Sequence, residues 1–221
     1  SVHFFILGFM IGLTGETVIE ADAGISLSRL ALFAQSQALT GLEFAHGIPG
    51  SLGGAVFMNA GAYGGEMKQV VQEVIVLTED GIRHIPGAEC AFGYRKSAFS
   101  DGKTVILGAK LHLKKGDPAQ IRDKMAELMA KRKASQPLEY PSAGSTFKRP
   151  EGYYAGTLIQ ETGLKGLTVG GAQVSEKHAG FVINTGGATC ADVMALISQV
   201  QDRVMQRSGV HLEPEVRIIE N

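Results

Sequence analysis

The stretch Gly41–Glu66, GLEFAHGIPGSLGGAVFMNAGAYGGE, limits what this chain can fold into more than any other part of it. Glycines stand at 41, 47, 50, 53, 54, 61, 64 and 65 among small apolar residues, and the only charges, Glu43 and Glu66, lie towards the two ends. A residue without a Cβ lets the backbone take positive φ and lets a ligand lie close to main-chain amides. Amides exposed in such a loop form a nest for phosphate or for the polar edge of a ring system. A tightly packed turn with no ligand uses the same residues, but glycine at this density favours the ligand. Ala55–Ala60 reads as a short buried turn or strand that fixes the loop. Neither GxxxxGK[ST] nor a GxGxxG between strand and helix is present.

With 221 residues, of which 44% are apolar, the chain has enough material for one large domain or two small ones. Its net charge of −1 argues against nucleic acid or an anionic membrane as the main partner. Cys90 and Cys190 form no CxxC and no metal-ligand spacing, so two free thiols in a reducing compartment are expected. No two histidines stand four residues apart, and no metal site is expected. The apolar run Phe4–Leu13 is far shorter than the ~20 residues of a membrane span. It carries no leading Lys or Arg and reads as a buried strand, or as chain that has lost its original context.

Thr17–Ala21 reads as a strand. Ser26 caps a helix to about Ala38 with Leu27, Leu30, Ala31 and Ala34 on one face. After the glycine stretch, Gln69–Leu77 is a strand, Asp80-Gly81 a hairpin turn into Ile82–Ile85, and Thr104–Leu113 a further strand. These give α+β with a mainly antiparallel sheet. Asp117-Pro118 opens a helix with Ile121, Met125, Leu128 and Met129 as its apolar stripe. Lys131, Arg132 and Lys133 crowd its last turn, as a solvated helix end or a phosphate contact. The polar, proline-bearing segment Gln136–Pro150 is the expected boundary to a smaller α/β unit. There a helix ends at Gly163, Ala179–Asn184 is a strand, and a capping box at Thr189–Asp192 starts a long helix that stops at Gly209. Val210–Ile219 reads as a closing strand.

Three further motifs offer chemistry. In FGYRKSAF, residues 92–99, an arginine between aromatics can clamp a carboxylate or simply pack on Tyr94 at the surface. In YPSAGSTFKRP, residues 140–150, hydroxyls and two cations sit in a proline-bounded segment that reads as a rigid loop. No GxSxG elbow exists, so hydrogen bonding or proton donation fits these serines better than nucleophilic attack. In LEPEVR, residues 212–217, Glu215 is either an exposed strand residue or a buried carboxylate that must be paired or used.

Together the glycine stretch, FGYRKSAF, PLEYPSAGSTFKRP, GGAQVSEKHAGFVIN and LEPEVRII resemble, in order and spacing, the UDP-N-acetylenolpyruvoylglucosamine reductase (UDP-N-acetylmuramate dehydrogenase) family, from about Thr17 onward. The short link between the arginine and serine motifs is similar to the second class of that family. The resemblance implies a vanillyl-alcohol-oxidase/PCMH-type FAD-binding domain over residues 1–134 and a smaller α/β substrate-binding domain over 135–215, with 216–221 returning to the first. It implies a cytoplasmic flavoenzyme of peptidoglycan synthesis, serving cell-wall biogenesis, cell shape and division. NADPH reduces FAD, and the reduced flavin passes hydride to the β carbon of UDP-N-acetylglucosamine enolpyruvate, giving UDP-N-acetylmuramate.

Carried over by motif, Ser145 is the proton donor, while Arg95 and Glu215 stabilise the enolate-like intermediate. The FAD contacts fall on Ile48, Pro49, Gly50, Ser51, Gly53, Gly54, Asn59, Ala60 and Gly61. Tyr94, Lys148 and His178 fall among substrate contacts, and no metal, nucleic acid or membrane is implied. Elementary chemistry agrees with these roles. Hydride addition loads negative charge beside the carboxylate, which a fixed cation in a dry site stabilises, and the resulting carbanion is basic enough to take a proton from an alcohol. Glu215 then has to orient donors or carry a proton itself.

The family's upstream flavin subdomain carries a Gly-Ser-Asn-Leu-Leu motif, and no Gly-Ser-Asn occurs in this sequence. The expectation is therefore a flavin domain lacking its first half. Two alternatives follow: a remnant that binds UDP-sugar without flavin, and another FAD oxidoreductase of the same fold.

Overall fold

Valines and isoleucines at alternate positions build an antiparallel sheet in the first half of the chain. In the computed structural model, which describes residues 10–218, the strands are β1 (Ile11–Leu13), β2 (Val18–Asp22), β3 (Val71–Thr78), β4 (Gly81–Pro86) and β5 (Val105–His112). Their order is β1-β2-β5-β3-β4, every pair antiparallel. Ile19 and Ala21 of β2, Val74 and Val76 of β3, and Ala109 and Leu111 of β5 face the core, the period-2 pattern of a sheet with one buried side. The strand expected over Phe4–Leu13 lies largely outside the described residues; its last three form β1.

Helix α1 (Leu27–Ser36) follows β2, with Ser26 as N-cap accepting from the Arg29 amide. Leu27, Leu30, Ala31 and Ala34 are its buried face. A second helix, α2 (Leu52–Phe57), occupies the middle of the glycine stretch. The turn or strand expected over Ala55–Ala60 is therefore corrected. Ser51 caps this helix at φ −100°, ψ 164°, and Leu52, Ala55 and Val56 are buried, so the local pattern is helical. The hairpin between β3 and β4 turns at Glu79-Asp80, one residue earlier than expected, because Thr78 pairs with Gly81. Gly81 follows the turn at φ +108°, a conformation suited to glycine.

Helix α3 (Pro118–Ser135) starts where Asp117 Oδ1 accepts from the Gln120 amide. Ile121, Met125 and Leu128 are buried. The basic end of α3 divides. Lys131 is exposed, but Arg132 is buried and donates to Gln136 Oε1 at 3.2 Å, which corrects the solvated-end reading for that residue. The chain divides after Lys131 into two compact units.

In the second unit a four-stranded antiparallel sheet has the order β6-β9-β8-β7, with β6 (Ser142–Ser145), β7 (Thr168–Val169), β8 (Ala172–Val174) and β9 (Phe181–Asn184). Helices α4 (Ala155–Glu161) and α5 (Cys190–Ser208) complete the unit. The capping box is formed: Thr189 Oγ1 accepts from the Asp192 amide and the Asp192 carboxylate accepts from the Thr189 amide. Gly209 ends α5 at φ +69°. Ile159, Leu164, Val174, Leu196, Val200, Val204 and Leu212 form this unit's core. Burying each such side chain stabilises the fold by about 1.5–3 kcal/mol.

The closing strand expected over Val210–Ile219 is not formed within the described residues. A single bridge, Phe147 with Pro214, replaces it, because Pro214 has no amide to continue a ladder. Conversely, Ser142–Ser145, expected as loop, is strand β6.

Candidate active site

The glycine stretch is held by its own backbone. The amides of Leu52 and Gly53 donate to the carbonyls of Ile25 (2.8 Å) and Ala23 (2.9 Å), and the Leu27 amide donates to the Gly50 carbonyl (3.0 Å). The Gly54 amide is taken by Ser51 Oγ, and the amides of Ile48, Asn59 and Ala60 by the carbonyls of Ala45, Val56 and Ala55. Several of the amides expected to form a ligand nest are thus turned into the fold. The glycines here serve close approach: a Cβ on Gly53 would lie 2.9 Å from the Ala23 Cβ, and one on Gly65 would lie 2.4 Å from the Phe44 ring.

Pro49, Gly50 and Gly54 lie on the surface, and a Cβ at Gly50 would meet nothing within 4 Å. A surface with so few side chains can accept a flat ring system or a pyrophosphate. Asn59 does not fit that picture. It is 2% exposed, and its carboxamide is engaged inside the protein. Nδ2 donates to Glu66 Oε2 (2.8 Å) and to the Gly93 carbonyl (3.1 Å), and Oδ1 accepts from the Lys68 amide (2.9 Å). The two charges that bound the stretch are internal caps as well, since Glu43 accepts from Thr40 Oγ1 and the Gly41 amide.

Tyr94 and Arg95 are the two central residues of a tight turn. The Gly93 amide donates to the Lys96 carbonyl at 3.0 Å, and the Lys96 amide returns to the Gly93 carbonyl at 3.4 Å. Arg95 sits at φ +55°, a left-handed conformation that costs a residue with a Cβ about 1–2 kcal/mol. Such strain held in place is common at functional sites. Tyr94 is 56% exposed, Arg95 is half-buried, and the Arg95 guanidinium lies 5.3 Å from the Tyr94 ring centroid. Ser97, buried beyond the turn, donates from Oγ to the Phe57 carbonyl at 2.8 Å. The motif is therefore tied to the glycine stretch at both ends, through Asn59 and through Ser97.

In the second unit the other candidates gather around Thr146. This residue is buried; its amide donates to the Gly180 carbonyl and its carbonyl accepts from the Glu215 amide, both at 2.8 Å. Its Oγ1 accepts from the Val182 amide at 3.0 Å. Ser145 precedes it at the end of β6, opposite Phe181, half-buried, with Oγ donating to the Phe147 carbonyl at 3.3 Å. Glu215 is half-buried on the segment that crosses Thr146. Lys148 is ion-paired with Glu213, and its amide donates to the Glu213 carbonyl.

His178 belongs to the same neighbourhood, its ring edge-on to Phe181 with centroids 5.0 Å apart. The Gly180 amide donates to its Nδ1 at 3.1 Å, which requires a lone pair there and leaves the proton on Nε2. Burial holds the imidazole pKa below its ordinary value, so the neutral ring is favoured. Ser145, Lys148, His178 and Glu215 are thus brought together, while Tyr94 and Arg95 belong to the first unit. Thr146 and Ser97 were not singled out from sequence. Both sit inside motifs that were, but a residue that only holds its neighbours carries no chemical signature of its own.

Cys90 is buried and its thiol is pushed up to about 11, chiefly by burial, so it is an inert core residue; Cys190 is exposed. Among the described residues no group of three or more His, Cys, Asp or Glu is placed to hold a metal ion. No described helix is long and apolar enough to cross a membrane.

Comparison with known proteins gives these sites their setting. An FAD-binding-domain family matches residues 11–85, and the C-terminal domain of UDP-N-acetylenolpyruvoylglucosamine reductase matches residues 136–219. The reductase of Pediococcus pentosaceus is 55% identical over 210 residues, covering 95% of this chain and 70% of that protein. That of Caldanaerobacter subterraneus subsp. tengcongensis is 54% identical over 204 residues, covering 92% and 68%. The crystal structure of the reductase from Thermus caldophilus aligns with a TM-score of 0.81 at 38% identity, covering 90% of this chain and 71% of that one. An FAD-type α/β fold, a matching C-terminal domain and relatives above 50% identity agree: this chain is an enzyme of the FAD-dependent oxidoreductase class and belongs to the UDP-N-acetylenolpyruvoylglucosamine reductase family.

Proposed function

We propose that the chain reduces the enolpyruvyl ether of UDP-N-acetylglucosamine enolpyruvate to UDP-N-acetylmuramate, with NADPH as reductant, in cytoplasmic peptidoglycan precursor synthesis. The unit up to Lys131 serves as the flavin-holding half and the remainder as the substrate-holding half. FAD, when bound, would supply the hydride chemistry, with NADPH as the source of its electrons. Pro49, Gly50, Ser51 and Gly54 are the residues that would lie against it.

The chain's own residues supply the rest. Hydride at the β carbon and a proton at the α carbon together convert the vinyl double bond to a single bond. Between those events negative charge spreads over the α carbon and its carboxylate. The Arg95 guanidinium stabilises that charge in a site shielded from water. Ser145 gives up its Oγ proton to the α carbon, and the α carbon is basic enough that an ordinary alcohol suffices. Glu215 orients the donors around the carboxylate, and Lys148 and His178 contact the UDP-sugar, His178 as a neutral Nε2–H donor. Tyr94 flanks the substrate beside Arg95.

One observation carries this reading. Glu215 and Ser145, 70 positions apart in sequence, flank a single buried residue, with the Glu215 amide on the Thr146 carbonyl at 2.8 Å. An acid and an alcohol held by rigid main-chain bonds suit a reaction that must deliver one proton to one carbon. The test is NADPH oxidation by the purified chain with FAD added. The proposal expects a yellow protein whose NADPH consumption requires the enolpyruvyl substrate. A colourless protein that still binds UDP-sugar would favour a non-catalytic binder. Flavin turnover indifferent to this substrate would favour a different acceptor.

A further inference from the structure

Asn59 is the one residue assigned to the flavin site whose side chain faces entirely inward. It is 2% exposed and sits at φ +43°, where asparagine is tolerated better than most residues. Its Nδ2 has two hydrogens and two acceptors, the Glu66 carboxylate and the Gly93 carbonyl, and its Oδ1 is occupied by the Lys68 amide. A primary amide so placed has both donors committed and none to spare for a cofactor. Gly93 is the first residue of the tight turn whose tip is Tyr94-Arg95, and its carbonyl also accepts from the Lys96 amide that closes the turn.

We infer that Asn59 is a positioning residue for Arg95: its carboxamide clasps the Gly93 carbonyl and fixes the turn that holds the guanidinium. This rests on the role proposed for Arg95 above. The clasp explains why an unusual backbone is kept at both ends. Asn59 in the left-handed region aims its amide across 34 positions of sequence, and Arg95 at φ +55° takes its place in the turn against its own conformational preference. Glu66 supports the clasp by accepting the second Nδ2 hydrogen, and it is in turn paired with Lys68 at 2.7 Å.

The test uses Asn59→Gly, which tolerates the positive φ while removing the amide, and Asn59→Asp, which keeps the shape and the acceptor but loses the donor. Amide hydrogen exchange of the whole chain is followed at Gly93 and Lys96 against Leu30 and Val74 in the core. The inference expects protection at Gly93 and Lys96 to fall at least tenfold in both variants, with the core amides unchanged. FAD affinity stays within about twofold of wild type. Turnover with FAD falls towards that of Arg95→Ala, and Asn59→Gly/Arg95→Ala is no slower than Arg95→Ala alone. Unchanged protection at the turn overturns the inference, as does loss of protection throughout the core, which would make Asn59 a general stability residue. Weakened FAD binding with the turn still protected also overturns it. If Arg95→Ala itself turns over at the wild-type rate, the role of Arg95 fails, while the exchange data still decide whether Asn59 holds the turn.

Discussion

The Tyr94-Arg95 turn and the Ser145–Lys148 segment present functional side chains by opposite means. The turn is two residues long and closed by one backbone pair, and it is fixed to the rest of its unit by side chains: Asn59 on one side, Ser97 on the other. The serine segment is fixed mainly by backbone on both flanks, to Gly180 on one side and to Glu213 and Glu215 on the other, with the Thr146 hydroxyl as a further bond. A site held by side chains can be lost through a single substitution that leaves the fold intact. A site held by a ladder is moved only by disturbing the sheet. Function in the first unit is therefore expected to be fragile without being unstable, and in the second to be robust until the fold itself is damaged.

Arg95→Gly is the sharpest way to break that contrast. It removes the cation and relieves the left-handed strain together. Turnover is expected to fall by about 10²–10³-fold, the usual loss for a group that stabilises developing charge, while thermal stability stays within about 1 kcal/mol. Activity and melting temperature measured on the same preparation check it. Parallel falls in both would show that the arginine is part of the fold.

Thr146→Val is the converse. It keeps shape but leaves the buried Val182 amide without its acceptor, at a cost of about 1–3 kcal/mol. Urea unfolding should register that loss, with activity falling only as far as the folded fraction does. Ser97→Ala removes the hydroxyl that donates to the Phe57 carbonyl and accepts from the Phe99 amide but spares the main ladder, and is expected to cost about 1 kcal/mol while lowering turnover more than Thr146→Val does.

Two effects of pH are smaller. Burial depresses the His178 pKa in the folded state below its ordinary 6.5. The unfolded chain then binds the proton more readily, so the His178 contribution is full above 6.5 and is lost as pH falls towards the folded value. His178→Gln should flatten the fall in melting temperature between pH 7 and 5; an unaltered slope would place the dependence elsewhere. The carboxyl of Glu73, on β3, is held below its ordinary 4.5 by hydrogen bonds from His84 and then Lys110, at 2.8 and 2.9 Å. Its contribution is present above 4.5 and lost as pH falls through the folded value. Being near the surface, it is worth no more than about 1 kcal/mol. Glu73→Gln should remove that acid sensitivity and little else.

How much of this was legible in the sequence follows from how local each signal is. The Ser26 cap, the Thr189–Asp192 box and the Gly209 stop are read within four residues of the bond they make, and the structure forms all of them. The closing segment was misread because apolar residues around Glu213–Arg217 resemble a strand, whereas Pro214 cannot donate to a ladder and only one bridge forms. The glycine stretch stands out by its composition, but part of the reason for its glycines is not local. Gly53 and Gly65 are required by Ala23 and Phe44, whose approach no local pattern reveals. Arg95, Ser145 and Glu215 stand out in the sequence as candidates because cations, alcohols and acids have chemistry of their own, and the roles proposed for them come from the family resemblance. Asn59, Ser97 and Thr146 as supports were not, because their roles exist only through partners 34 or more positions away.

Separating the two halves of the catalytic cycle in Ser145→Ala tests the account most directly. The FAD-loaded variant is reduced with NADPH, then mixed with UDP-N-acetylglucosamine enolpyruvate while the flavin absorbance is followed. The account predicts that reduction proceeds as in wild type and that formation of UDP-N-acetylmuramate stalls. Product formation at the wild-type rate would remove the serine from the mechanism and contradict the account.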